Sequence, residues 1–146
     1  MYENILIPVD GSEVSNHAAE EGFKLALKLG SKISLVYVVD YSLLNIPDAE
    51  TAITNIEVLR RNFTEHGEKL LSMLEKSAKD KGLEVKKAIR EGDVHDEIIT
   101  AAEEAKAGLI IMGTHGRRGL NRLLLGSVAE SVARRAHCAV LLIRPD

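Results

Sequence analysis

The sequence predicts one α/β domain, an open five-stranded parallel sheet in the order 3-2-1-4-5 with helices on both faces. Three observations carry that prediction. Short apolar runs alternate with segments of helical period, giving β-α-β-α-β-α-β-α-β along the chain. Two of the runs, residues 34–39 after the opening Ser34 and residues 109–112, are continuously apolar, as expected of strands covered on both faces. The length of 146 residues fits a single domain spanning 1–146. A domain of that size buries roughly 70% of its unfolded surface, enough for a core without metals or disulfides.

Each element has its own signal. The first strand, residues 4–9, closes at Pro8 and the Asp10-Gly11 turn. Residues 12–29 place Val14, Ala18, Ala19, Gly22, Phe23, Ala26 and Leu29 on one helical face, with Gly30 as C-terminal cap. The second strand covers 32–39. Residues 40–52, with Pro47, read as a loop. The longest helix draws a stripe through Ile53, Ile56, Leu59, Phe63, Gly67, Leu70, Leu74 and Ala78 and ends at Gly82. That stripe is core against the sheet rather than a membrane surface. The third strand, 84–90, carries Val85 and Ile89 among charges and reads as a partly exposed edge. Asp93 caps a short helix to residue 105. The fourth strand is 109–112, a helix covers 127–136, and the fifth strand is Ala139–Ile143.

Right-handed crossovers wind the two half-sheets in opposite directions from the first strand. The winding reverses between strands one and four. Ligands of open α/β sheets bind at such a point, beyond the carboxyl ends of the strands. The two connections that leave there begin at Pro8-Val9-Asp10 and at Gly113. The second reads Gly113-Thr114-His115-Gly116-Arg117-Arg118-Gly119-Leu120-Asn121-Arg122-Leu123-Leu124-Leu125-Gly126-Ser127-Val128. It starts where a buried strand ends and finishes where a helix begins, with Ser127 at or near the N-cap. Glycines permit close approach of backbone to ligand, and the helix N-terminus offers unpaired N–H groups and positive potential. That is an anion site, and phosphate is the natural anion. It is neither a GxxxxGK[ST] loop nor a GxGxxG turn.

Gly113, Gly116 and Gly126-Ser127 follow the pattern G-x2-G-x9-G-[ST]. In that pattern the chain resembles the ATP-binding branch of the universal stress proteins. The resemblance runs the whole length. Residues 5–12 look like the family's first strand and turn, residues 36–40 like its second strand, Glu91-Gly92-Asp93 like the turn after its third, and Gly126-Ser127-Val128 with Pro145 like its finish. It implies a Rossmann-like, adenine nucleotide alpha hydrolase-like fold that binds ATP with Mg²⁺ or Mn²⁺. It also implies roles. Asp10 with the Pro8-Val9 backbone meets the ribose and adenosine end, and the Val38 backbone bonds the adenine edge. Met112 and Gly113 pack near the ribose. His115, Gly116, Gly126, Ser127 and Val128 cradle the phosphates. Ala129 is a departure, since some relatives carry a hydroxyl there.

The residues themselves leave alternatives open. Asp10 either caps the following helix or meets ligand. His115 is a metal ligand, a general base, or a loop residue that also contacts phosphate. Arg117, Arg118 and Arg122 contact phosphate or are solvated, and Arg134 and Arg135 suit a helix C-terminus. No Ser-His-Asp order, carboxylate pair or phosphate-directed lysine stands out. A nucleotide-dependent regulatory protein of the stress response, acting by binding, is therefore expected before a slow ATPase or nucleotidyl-transfer enzyme. A ligand-free interaction module is disfavoured by the intact glycine pattern.

Composition narrows the partners. A net charge of −3 gives no general attraction for nucleic acid or anionic lipid. With no Trp, stacking platforms are scarce. No run reaches the ~18 apolar residues of a membrane span. The N-terminus lacks the basic and apolar regions of a signal peptide. A lone cysteine, Cys138, reads as a buried structural thiol, and a cytoplasmic setting follows. An apolar fifth strand at a sheet edge invites a homodimer through Ala139–Ile143.

Overall fold

A computed structural model describes residues 1–44, 49–116 and 124–145, with residues 49–54 described by their backbone. The elements are β1 (Asn4–Pro8), α1 (Glu13–Leu29), β2 (Lys32–Asp40), a 3-10 turn (Tyr41–Leu44), α2 (Ala49–Asp80), β3 (Val85–Gly92), α3 (Val94–Glu104), β4 (Leu109–Gly113), α4 (Ser127–Arg135) and β5 (Ala139–Ile143). All pairings are parallel and the order is β3-β2-β1-β4-β5. This is the expected topology.

Alternation along each strand sends side chains to two cores. Ile5, Ile7, Ile33, Leu35, Tyr37 and Ile111 join Phe23, Leu71 and Leu74 of α1 and α2. Leu6, Val36, Ile110 and Met112 join Ile98, Ala129 and Val132 of α3 and α4. Gly30 closes α1 with φ of 68°, a left-handed conformation that glycine adopts without penalty. Gly67 lets α2 lie against the buried Tyr37, whose Cε1 would stand 2.8 Å from an added Cβ.

Several boundaries differ from expectation; β3 runs through Gly92, so Glu91 and Gly92 belong to the strand and not to the turn after it. Residues 41–44 form a 3-10 turn, and α2 begins at Ala49 rather than at residue 53. The apolar stripe marks only where the helix meets the sheet. Ahead of Ile53, the sequence Ala49-Glu50-Thr51-Ala52 carries no apolar period that would mark a helix start. Pro47 lies outside the described residues. The third strand is the expected edge, mostly exposed or half-buried along its length.

Candidate functional site

A cleft of about 480 Å³ opens at the carboxyl ends of β1, β2 and β4. Its origin is in the sheet. β1 and β4 pair only at Ile5 with Leu109 and Leu6 with Ile110. Beyond Leu6 and Ile110 the seam parts, while β4 stays paired with β5 through Gly113. The opening is the reversal of winding that the strand order required.

Every residue anticipated for the site lines this cleft: Pro8, Val9, Asp10 and Val38 on one side, Met112, Gly113, His115, Gly116, Gly126, Ser127 and Val128 on the other. Arg117, Arg118 and Arg122 lie outside the described residues. The turn after β1 and the loop after β4 are in contact, as their shared position implied. A Cβ on Gly116 would stand 2.8 Å from Asp10 Oδ2. One on Gly113 would stand 2.6 Å from Val14 Cγ1, so this glycine lets the first turn of α1 close on β4.

Asp10 holds its own turn. Its Oδ1 accepts the Ser12 N–H at 2.9 Å, and its N–H donates to Ser15 Oγ at 3.0 Å. Gly11, with φ of 86°, makes the bend possible. Capping of α1 itself falls to Ser12, whose Oγ accepts from Ser15 N at 3.2 Å. Asp10 thus orders the turn and still faces the cleft.

The three helix N-termini around the cleft differ. Ser12 caps α1 and Asp93 caps α3 through side-chain oxygens. At α4 the N-cap is Gly126, one residue before the expected Ser127, and no side chain caps it. The first intrahelical bond there is Glu130 N–H to Gly126 C=O, 2.9 Å. The Ser127, Val128 and Ala129 amides are left without an intrahelical acceptor, at the positive end of the helix. A Cβ on Gly126 would lie 2.8 Å from the Thr114 carbonyl oxygen, so the bare backbone is a steric requirement. Ala129 belongs to the lower core, 2% exposed, which explains a methyl where a hydroxyl was the alternative.

Val38 faces the cleft with its main chain. The Ile33 N–H bonds Glu84 C=O at 2.9 Å, so odd-numbered residues of β2 turn their polar groups to β3. Lys32 N–H to Glu3 C=O and Val9 N–H to Val36 C=O, both 2.8 Å, turn the even-numbered ones to β1. β1 ends at Pro8, so the Val38 N–H and C=O project past its end.

His115 is 9% exposed. Its Nδ1 lies 2.8 Å from Thr114 Oγ1, and its Nε2 bonds the Leu124 carbonyl. Thr114 N–H donates to Ile143 C=O at 3.0 Å, and Gly126 N–H to Thr114 C=O at 2.8 Å. The two ends of the glycine-rich loop are thereby joined to each other and to β5. Of the roles open to His115, the loop role is the one its ring contacts support.

Some lining residues carried no sequence signal as site residues. Asp93, Val94 and His95 enter from the start of α3, and Ser42 and Leu43 from the 3-10 turn. Asp93 was visible as a helix cap. That its helix starts at the same carboxyl edge as the glycine loop was the available clue. Among the described residues, Asp93, His95 and Asp96 also place ligand-type atoms within 4.8 Å of one another. His95 Nδ1 lies 2.9 Å from Asp93 Oδ1, and Asp96 Oδ1 accepts from Arg135 at 2.8 Å.

Cys138 is half-buried rather than buried, and it precedes the outer strand β5. Burial pushes its thiol pKa up, so little thiolate is present at neutral pH. Alkylation by iodoacetamide is expected to be slow near neutrality and to accelerate as the pH is raised. Rapid labelling at neutral pH would contradict this.

The description "Universal stress protein family" fits residues 1–144. The chain belongs to the universal stress protein family. It is 39% identical over 145 residues to the universal stress protein MJ0531 of Methanocaldococcus jannaschii, covering 99% of this chain and 83% of that protein. The solved structure of protein MJ0577 of the same organism superposes with a TM-score of 0.87 at 29% identity, covering 100% of this chain and 98% of that one. A universal stress protein crystallised in complex with cAMP shares the fold, with a TM-score of 0.68 at 24% identity over 98% of this chain and 97% of that one. Among the described residues no helix is long and apolar enough to cross a membrane.

Proposed function

We propose that this chain is an ATP-binding regulatory protein of the stress response that acts by binding rather than turnover. One observation carries the reading. The three amides of α4 that lack intrahelical acceptors open onto the same cleft as the Val38 N–H and C=O. An anion cradle thus stands at one end and a donor–acceptor pair at the other, the arrangement an adenine nucleotide matches at its phosphates and its base edge. The ~480 Å³ volume suits a ligand of that class. The apolar Val36, Ile98 and Met112 between the two ends offer contact for the base and ribose. A protein of this fold has been crystallised with cAMP, an adenine nucleotide.

In this reading Pro8, Val9 and Asp10 meet the nucleoside, Met112 and Gly113 back the ribose, and His115, Gly116, Gly126, Ser127 and Val128 line the phosphates. Asp10 is a carboxylate beside the loop, at Gly116. Mg²⁺ or Mn²⁺ accompanying ATP would neutralise phosphate charge, and such ions commonly use one protein carboxylate with phosphate oxygens and water. The His115 ring serves the loop at both nitrogens, which favours binding over base catalysis. The lone cysteine suits a cytoplasmic setting.

Calorimetry with ATP and Mg²⁺, and mass spectrometry of ligand released from denatured protein, test the proposal. The expected result is stoichiometric ATP binding; no heat and no bound nucleotide would defeat it. Steady phosphate release abolished by changing Asp10 would instead favour the slow ATPase or nucleotidyl-transfer reading.

The proposal extends to a homodimer through Ala139–Ile143. Among the described residues β5 is an outer strand paired only with β4, and its Leu141 is 39% exposed. An apolar edge with a free row of backbone groups is a template for strand addition. Sedimentation is expected to show a dimer at micromolar concentration, and Leu141→Arg a monomer. A monomeric parent chain would refute it.

A further inference from the structure

We infer that Thr114 is a positioning residue for the phosphate loop, acting by fixing the tautomer of His115; this rests on the nucleotide-binding reading above. A carbonyl oxygen only accepts, so the contact between His115 Nε2 and Leu124 C=O requires the proton on Nε2. Nδ1 of the neutral ring is then an acceptor, and the group 2.8 Å away is the Thr114 hydroxyl, which donates to it. Thr114 and His115 are 7% and 9% exposed, so water is a poor substitute for either bond.

His115 borders the cleft and also a second hollow of about 520 Å³, whose described lining includes Leu124, Leu125, Leu142 and Arg144. Both spaces are lined by Thr114 and His115. Hydrogen bonds at both ring nitrogens fix the orientation of the His115 ring.

The consequence for the site is direct. The bond from His115 to Leu124 runs beside that from Gly126 N–H to Thr114 C=O, and together they clasp the loop ends just before the α4 amides. If the proton moves to Nδ1, a lone pair on Nε2 faces the Leu124 carbonyl and the side-chain half of the clasp opens. Thr114→Val keeps the shape of the side chain and removes the donor. Thr114→Ser keeps the donor.

The test joins long-range ¹H–¹⁵N correlation of the His115 imidazole, at mildly alkaline pH, with ATP titration in the presence of Mg²⁺. The parent chain is expected to show the Nε2–H tautomer. Thr114→Val is expected to populate the Nδ1–H form and to weaken ATP binding about tenfold, the scale of one buried hydrogen bond lost. Thr114→Ser is expected to restore both. An Nδ1–H tautomer in the parent chain overturns the inference, as does unaltered affinity in Thr114→Val. A parent chain that binds no ATP refutes the nucleotide reading instead, and the tautomer signal still decides the Thr114–His115 contact. That spectrum needs no variant to fold.

Discussion

Gly126→Asp is expected to weaken ATP binding at least about a hundredfold, ~3 kcal/mol, while the protein stays folded. Gly126 is the N-cap of α4 with φ of −62° and ψ of 149°, a conformation open to any residue, so the backbone resists nothing. The added Cβ meets the Thr114 carbonyl oxygen at 2.8 Å and His115 Cα at 3.4 Å. Relieving such contacts costs about 1–3 kcal/mol. The new carboxylate returns a few tenths by accepting from the α4 amides, as aspartate does at an N-cap. The net loss is small beside the ~5–15 kcal/mol of a typical domain. Binding fares worse, because the carboxylate occupies the amides proposed for phosphate and adds a like charge there. Gly126→Asn separates the two effects, since it caps and crowds equally without the charge. If charge dominates, Asn loses less than Asp, and the gap between them narrows at high salt. Unaltered affinity in Gly126→Asp would remove α4 from the site.

The topology was legible because each level of the sequence pointed the same way. The runs at residues 35–39 and 109–112 are apolar throughout, and both lie in the sheet interior. Strand order alone put Gly113 beside the Pro8-Val9-Asp10 turn; the contact of Asp10 with Gly116 came from the structure. The start of α2 was hidden, because no apolar period marks the residues ahead of Ile53. Asp93, Val94 and His95 were hidden for another reason. A helix cap looks alike in sequence whether its helix borders a cleft or bulk water, and only the location of the β3 end separates the two. The shift from Ser127 to Gly126 at the α4 cap has a chemical cause. Serine would have satisfied an α4 amide with its own hydroxyl, and glycine leaves the helix end open. The ring of His115 could be placed near the loop from sequence, but its hydroxyl and carbonyl partners are set by how the loop ends meet.

Phe23→Ala is expected to cost about 3–5 kcal/mol and to lower Tm by roughly 10 °C or more. Phe23 is fully buried and stands among the largest enclosed side chains. It packs in the core that α1 and α2 share with the sheet. Lys81 Nζ lies 5.9 Å from its ring centroid, but an exposed cation–π contact contributes only ~0.5–1 kcal/mol, so cavity formation sets the magnitude. Lys81→Met reads that smaller contribution separately. The same substitution also distinguishes the core from the site. α1 reaches the cleft at its N-terminal end, where Val14 closes on Gly113. Phe23 lies nine residues further along, about 13 Å at the helical rise. Its loss leaves Asp10, Gly113 and the α4 amides in place, so ATP affinity measured well below Tm is expected to change less than about threefold. By linkage, ATP at a hundred times its Kd stabilises parent and variant alike by about 2.7 kcal/mol. A similar ATP-induced rise in Tm, from a lower starting value, is therefore the expected signature in Phe23→Ala. A vanished rise would show that the upper core and the nucleotide cleft are energetically one unit.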